Sequence, residues 1–185
     1  MNLEYFIASL PLLQPGHAPG ISAEEFRAAC REQLDPALAQ AALALLEDRE
    51  SAHPFARAWR DRETMLRNAV ARRRAARGDK ETPPEPRPTH GSDLRIEHGV
   101  AAAFEQPDPL QREQALNRLR WHVAAELQGV QPFHPAVVLA YAVKLRILSI
   151  AAAWDETAGE RKLEQLTTLP ERESGASAGS CPWRD

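Results

Sequence analysis

Chemistry-bearing residues are scarce in this chain. There are two cysteines in 185 residues, Cys30 in a helix-like segment and Cys181 in a polar tail. Neither belongs to a Cys-x-x-Cys pair or to a Cys/His cluster with metal spacing, which argues against a disulfide-rich scaffold or a zinc site and fits a reduced, cytoplasmic protein. The six histidines, at 17, 53, 90, 98, 122 and 134, form no pair one helical turn apart, so no metal site is expected. There is no Gly-x-Ser-x-Gly, no phosphate-binding Walker loop, no Gly-x-Gly-x-x-Gly and no pairing of carboxylates that suggests acid/base work. No catalytic residue, cofactor or small-molecule substrate is therefore expected. Aromatic residues make up only 6%, and the net charge of −3 gives no general attraction to nucleic acid. The N-terminal MNLEYFIASLPLL has an apolar centre but no basic flank and carries Glu4, so it is not read as a signal peptide. It reads as a short extended segment or a short buried helix.

What is present is a helix-forming alphabet of Ala, Leu, Arg and Glu. The expectation is an all-α bundle of six to seven helices. Ser22 with Glu25 three residues on is a capping box that opens a first helix. Asp35-Pro36, His53-Pro54, Asp108-Pro109 and His134-Pro135 each read as a cap followed by proline at the first helical position. The helix after His53 has Phe55, Trp59, Leu66 and Val70 as its buried stripe, with Arg62 or Glu63 at the intervening turn. Arg57/Asp61 and Glu63/Arg67 are spaced as exposed ion pairs, and Gly78 reads as the residue just past the helix end. Residues 79–92 hold four prolines among polar residues and read as a semi-rigid connection between an N-terminal half, 1–78, and a C-terminal half, 93–169. Asp93 opens the next helix, with Ile96, Val100, Ala103 and Phe104 inward. The helix after Asp108 carries Leu116, Leu119, Val123 and Leu127 and ends at Gly129. Asp155 caps a last helix with Leu163, Leu166 and Leu169, stopped by Pro170, and 170–185 reads as a flexible tail. Trp59, Trp121 and Trp154 read as packing residues.

Two segments stand out. Phe55–Arg77 holds eight arginines and two acids, a net of +6 in a chain whose total is −3. Arg72, Arg73, Arg74 and Arg77 are spread around the helix with no interleaved aromatic platform, which disfavours nucleic acid. A solvated helix end and a docking surface for an acidic protein both remain open, with Arg67 included in that surface. The other segment, Phe133–Trp154, is mostly apolar and nearly long enough to cross a bilayer. Lys144 and Arg146 interrupt it. Each central cation costs about 2.5–3.5 kcal/mol in a membrane against about 0.3–0.6 kcal/mol returned per Leu, Ile or Val. The two point about 160° apart, so no single polar face hides both. The expectation is a core helix with both heads reaching outward on opposite sides, available for docking.

Several segments, in order, carry a family resemblance. EYFIASLPLL, ISAEEFRAACREQL and FARAWRDRETMLRNAVARRRA are followed by RLRWHVAAELQ, by Phe133 ahead of VLAYAVKLRIL, and by Trp154 and Gly159. This pattern resembles a small bacterial family of unknown function encoded among the subunits of V-type (A/V-type) ATPases. The resemblance covers most of the chain outside the tail. It implies a helical, non-catalytic accessory or stalk subunit, with ATPase subunits as protein partners, and a peripheral position at the inner face of the plasma membrane. It also allows, by analogy, the role of the stalk component that couples the central shaft to the membrane rotor. It transfers no catalytic residue. Arg67, Arg72, Arg73, Arg74, Arg77, Lys144 and Arg146 are the candidate docking residues. The alternative is a free-standing helical adaptor or regulator that binds nucleic acid through the Arg-rich helix end.

Overall fold

Helix starts are the most strongly encoded feature, and they fix the architecture. The computed structural model describes residues 3–78 and 85–154. Among these there are seven helices and no strand: α1 (Leu3–Ser9), α2 (Ala23–Gln33), α3 (Pro36–Leu46), α4 (Pro54–Arg77), α5 (Leu94–Glu105), α6 (Pro109–Gln128) and α7 (Pro135–Ala152). The fold is all-α. Ser22 Oγ accepts from the Glu25 amide at 3.1 Å, and a Glu25 carboxylate oxygen accepts from the Ser22 amide at 2.8 Å, closing the capping box. Asp35, Asp93 and Asp108 cap α3, α5 and α6 with their carboxylates. His53 and His134 do the same for α4 and α7. Each Nδ1 accepts from the amide two residues on, at 3.2 Å, which requires a neutral ring with its proton on Nε2.

Of the two readings of the N-terminal segment, extended or a short buried helix, the helix holds: α1 drives Phe6 into the core. Gly78 caps α4 at φ −103, so its left-handed freedom is unused, whereas Gly129, which caps α6, takes φ +72. The helix expected after Asp155 and the tail 170–185 lie outside the described residues.

The chain divides into two units, Met1–Ala153 and Trp154–Asp185. The first contains all seven helices around one core, built from residues on both sides of the Pro-rich stretch. At its centre are α3 and α7. Ala41 through Leu46 are all buried, so α3 is apolar all round, the mark of a helix enclosed by its own protein. α7 packs against α1, α2, α3, α4 and α6. It is long and apolar enough to cross a membrane, and 56% of that 18-residue window is buried inside the protein. Tyr141 ties α7 to the N-terminal segment. Its hydroxyl donates to the Pro11 carbonyl at 3.0 Å and its ring lies 5.3 Å from that of Phe26. Burial pushes the Tyr141 phenol up to about 12 and the Cys30 thiol likewise up to about 12.

The topology around α4 decides where its arginines go. Arg62 pairs with Asp93, Arg72 with Glu97, and Arg77 donates to the Phe104 carbonyl. The numbers rise together, so α5 runs parallel to α4. The chain must therefore return from Arg77 to the level of Arg62, about 22 Å along the helix. The described end of the Pro-rich stretch makes that return along α4. The Asn68 side chain exchanges two hydrogen bonds with the Arg87 backbone, at 2.8 and 3.0 Å, and the His90 amide donates to Asp61 at 2.9 Å. Asp61 is thus engaged by the returning chain and is not paired with Arg57. α6 then runs antiparallel to α5. Gly99 makes that crossing close: a Cβ there would sit 2.8 Å from a Leu119 methyl.

Candidate partner-docking surface

The α4 arginines fall into two groups. The first is wired into the fold, Arg67 through Glu63 and the others through acids or a carbonyl of neighbouring segments. The sequence leaves Arg62 or Glu63 for the inward turn of the α4 stripe, and the structure places Glu63 there, 9% exposed. The expected Glu63/Arg67 pair forms, with its arginine exposed and its carboxylate buried. Arg67 Nε donates to Glu63 at 2.8 Å, and Arg120 of α6 donates to the same carboxylate at 3.2 and 3.4 Å. Arg120 also reaches Glu113 at 3.0 Å and Asn117 at 2.9 Å. One buried carboxylate between two guanidiniums meets the requirement that a buried charge be paired and hydrogen-bonded. The hydrogen bond to Glu63 holds the Arg67 guanidinium above its usual range.

The network continues through Asp48. Among the described residues Asp48 is the only non-glycine at positive φ, +56. It follows α3 in a Schellman turn: Arg49 N donates to the Ala44 carbonyl at 2.7 Å and Asp48 N to the Leu45 carbonyl at 3.4 Å. Glycine is the usual occupant, and a side chain there costs about 1–2 kcal/mol. The aspartate instead presents its carboxylate to Arg67 at 3.4 Å and to Arg146 of α7 at 2.8 Å. Asp48 therefore joins α3, α4 and α7 at one point.

The α7 cations do not reach outward as free docking groups. Arg146 is held by Asp48. Lys144 folds back onto α6, where Nζ donates to Gln128 Oε1 at 2.9 Å and lies 5.5 Å from the Trp121 ring centroid. Burial lowers its pKa. The two side chains point to opposite sides, as 160° separation demands, and each finds a partner there. Trp121 thus packs internally, between α6 and α7, as Trp59 does in the core. Trp154 is 40% exposed, and not a core residue. Arg72 and Arg77 are likewise engaged: Arg72 pairs with Glu97, and Arg77 lies 5.3 Å from the Phe104 ring centroid in addition to capping its carbonyl.

Arg57 near the start of α4 and Arg73 and Arg74 near its end form the second group. All three are exposed, and none has an ion pair or side-chain hydrogen bond among the described residues. Arg74 stands at the edge of a groove of about 640 Å³ between α4 and α6. Leu66, Val70, Ala71, Ala75 and Gly78 line it from α4, and Glu113, Leu116 and Arg120 from α6, with Arg67 at its inner end. No group of three metal-binding side chains occurs among the described residues. The chemistry available is recognition by charge and shape.

No protein-family model, curated protein or solved structure matches the chain.

Proposed function

We propose that this chain is a non-catalytic accessory or stalk subunit of a bacterial V-type rotary ATPase, seated peripherally on the complex at the inner face of the plasma membrane. The observation that carries the reading is the ordered resemblance of EYFIASLPLL, ISAEEFRAACREQL, FARAWRDRETMLRNAVARRRA and VLAYAVKLRIL to the family encoded with such ATPases. A role in coupling the central shaft to the rotor rests on analogy. Such a subunit needs helices that keep their relative positions under load, a surface for protein partners, and no reaction of its own. The Asp48–Arg67–Glu63–Arg120 network, which crosses from α3 to α6, suits the first need, and the unpaired end of α4 suits the second. Docking occurs through Arg73 and Arg74, while Arg60, Arg62, Arg67, Arg72 and Arg77 hold α4 in place through partners within the fold. Co-purification tests the reading. The protein should remain with the intact ATPase complex after native membranes are washed, and its absence from the washed complex would overturn it.

The free-standing adaptor that binds nucleic acid draws on the same unpaired arginines. A mobility shift at physiological salt separates the two, since phosphate contacts give tight, steeply salt-dependent binding.

A further inference from the structure

Two of the seven described helices start on an imidazole. His53 caps α4 and His134 caps α7, and proline follows each. Proline has no N–H, so the first amide that α4 and α7 offer belongs to Phe55 and Ala136. In both helices Nδ1 of the cap accepts from that amide at 3.2 Å. The other capping side chains are Ser22, Asp35, Asp93 and Asp108. Histidine alone among these residue types ordinarily changes charge between pH 5 and 8.

A proton on Nδ1 turns the acceptor into a donor that faces another donor. It also sets a positive charge at the positive end of a helix. Neither α4 nor α7 has an acid in its first turn to offset that charge. The two caps lie at one end of the bundle, where His53 and Pro135 line a single hollow with Leu3, Leu34, Asp35 and Leu38. Asp35 is turned onto the Ala37 amide at 2.9 Å. Glu4 and Glu32 stand beside lining residues in the chain, and Arg57 follows His53 by one turn of α4. Glu126, ahead of α7, is held by Arg95. Among the described residues the one histidine–acid pair is His90 with Asp61.

We propose that His53 and His134 form an acid-sensitive latch: protonation of the two rings releases the starts of α4 and α7 and loosens the bundle around their shared hollow. The sign follows from the caps. The folded chain needs both rings neutral and the unfolded chain does not, so acid favours unfolding. The latch is complete above about pH 7.5 and weakens as pH falls through the ordinary imidazole range, near pH ~6.5. It acts whichever complex carries the chain.

The test compares the full chain with His53→Asn/His134→Asn by urea unfolding at pH 7.5 and pH 5.5. Asparagine caps a helix well and does not titrate. His17, His90, His98 and His122 remain in both proteins, so their titration cancels. The native midpoint should fall by about 0.5 M or more beyond any fall in the double variant. Equal falls in the two proteins would overturn the latch. If the double variant does not fold, the native chain decides by hydrogen exchange. Protection over residues 54–58 and 135–139 should drop about fivefold or more between pH 7.5 and pH 5.5, after correction for the intrinsic rate. Unchanged protection there would overturn the proposal, as would nitrogen spectra that place the proton on Nδ1 of either ring at pH 7.5.

Discussion

The α3–α7 and α4–α6 helix pairs join by opposite means. α3 and α7 meet through Ala, Leu and Val that exclude water along their whole contact, and the two cations of α7 are turned aside onto Asp48 and Gln128. α4 and α6 meet at one end through a buried carboxylate between two arginines, then leave a groove at the other. Apolar burial is non-directional and closes a contact wherever surfaces fit. A carboxylate between guanidiniums fixes one distance and orientation and leaves the rest of the contact unfilled. The first pair supplies stability. The second supplies a rigid position and an unfilled surface, which is what a docking element requires.

The contrast predicts a graded set of effects. Leu139, fully buried on α7, should be the most sensitive: Leu139→Ala should cost about 3–4 kcal/mol in urea unfolding. Glu63→Ala should cost less, about 2 kcal/mol, because Arg67 and Arg120 keep some access to water once their shared carboxylate is gone. A loss from Glu63→Ala equal to or above that from Leu139→Ala would erase the distinction between the pairs. Asp93, which joins α4 to α5, gives a pH signature. Its burial opposes ionisation, but hydrogen bonds from Arg95 and the charges of Arg95 and Arg62 prevail and hold the carboxyl below its usual range. Its contribution is therefore complete above about pH 4 and fades as pH falls through the lower folded value. Asp93→Asn keeps an N-cap residue, so it should cost about 1 kcal/mol at pH 7 and progressively less as pH falls through the lowered folded value, read from urea midpoints across pH. Asp48→Gly should fall within about 1 kcal/mol of the native chain, since relief at φ +56 offsets two half-exposed ion pairs. Asp48→Ala, which keeps the strain and loses both pairs, should be the worse of the two.

The architecture was legible in the residues because helix starts are local chemistry. Ser22 with Glu25, and Asp or His ahead of Pro36, Pro54, Pro109 and Pro135, each specify a start within four residues. The inward stripe of α5 was equally plain. The docking residues were less so, because their state depends on neighbours distant in sequence. Lys144 and Arg146 read as outward cations, and nothing near them in sequence announces Gln128, Trp121 or Asp48. Arg120 and Asp48 were missed altogether. Arg120 looks like an ordinary exposed arginine until α6 is laid antiparallel to α4. Asp48 carried a weak signal: it stands where glycine usually closes a helix. The parallel course of α5 along α4 was hidden because the direction of a helix after a long connection is not encoded in the connection itself. That direction is what gives Arg72 and Arg77 their partners and leaves Arg73 and Arg74 without one among the described residues.

The division of α4 into arginines that hold the fold and arginines that face a partner is tested most directly by the double variant Arg73→Glu/Arg74→Glu in the full chain. Its unfolding free energy should lie within about 0.5 kcal/mol of the native chain, since neither residue has a partner among the described residues. At the same time its recovery with the washed ATPase complex should fall by about tenfold or more. Native-level recovery of a fully folded double variant would contradict the assignment of this helix end to docking.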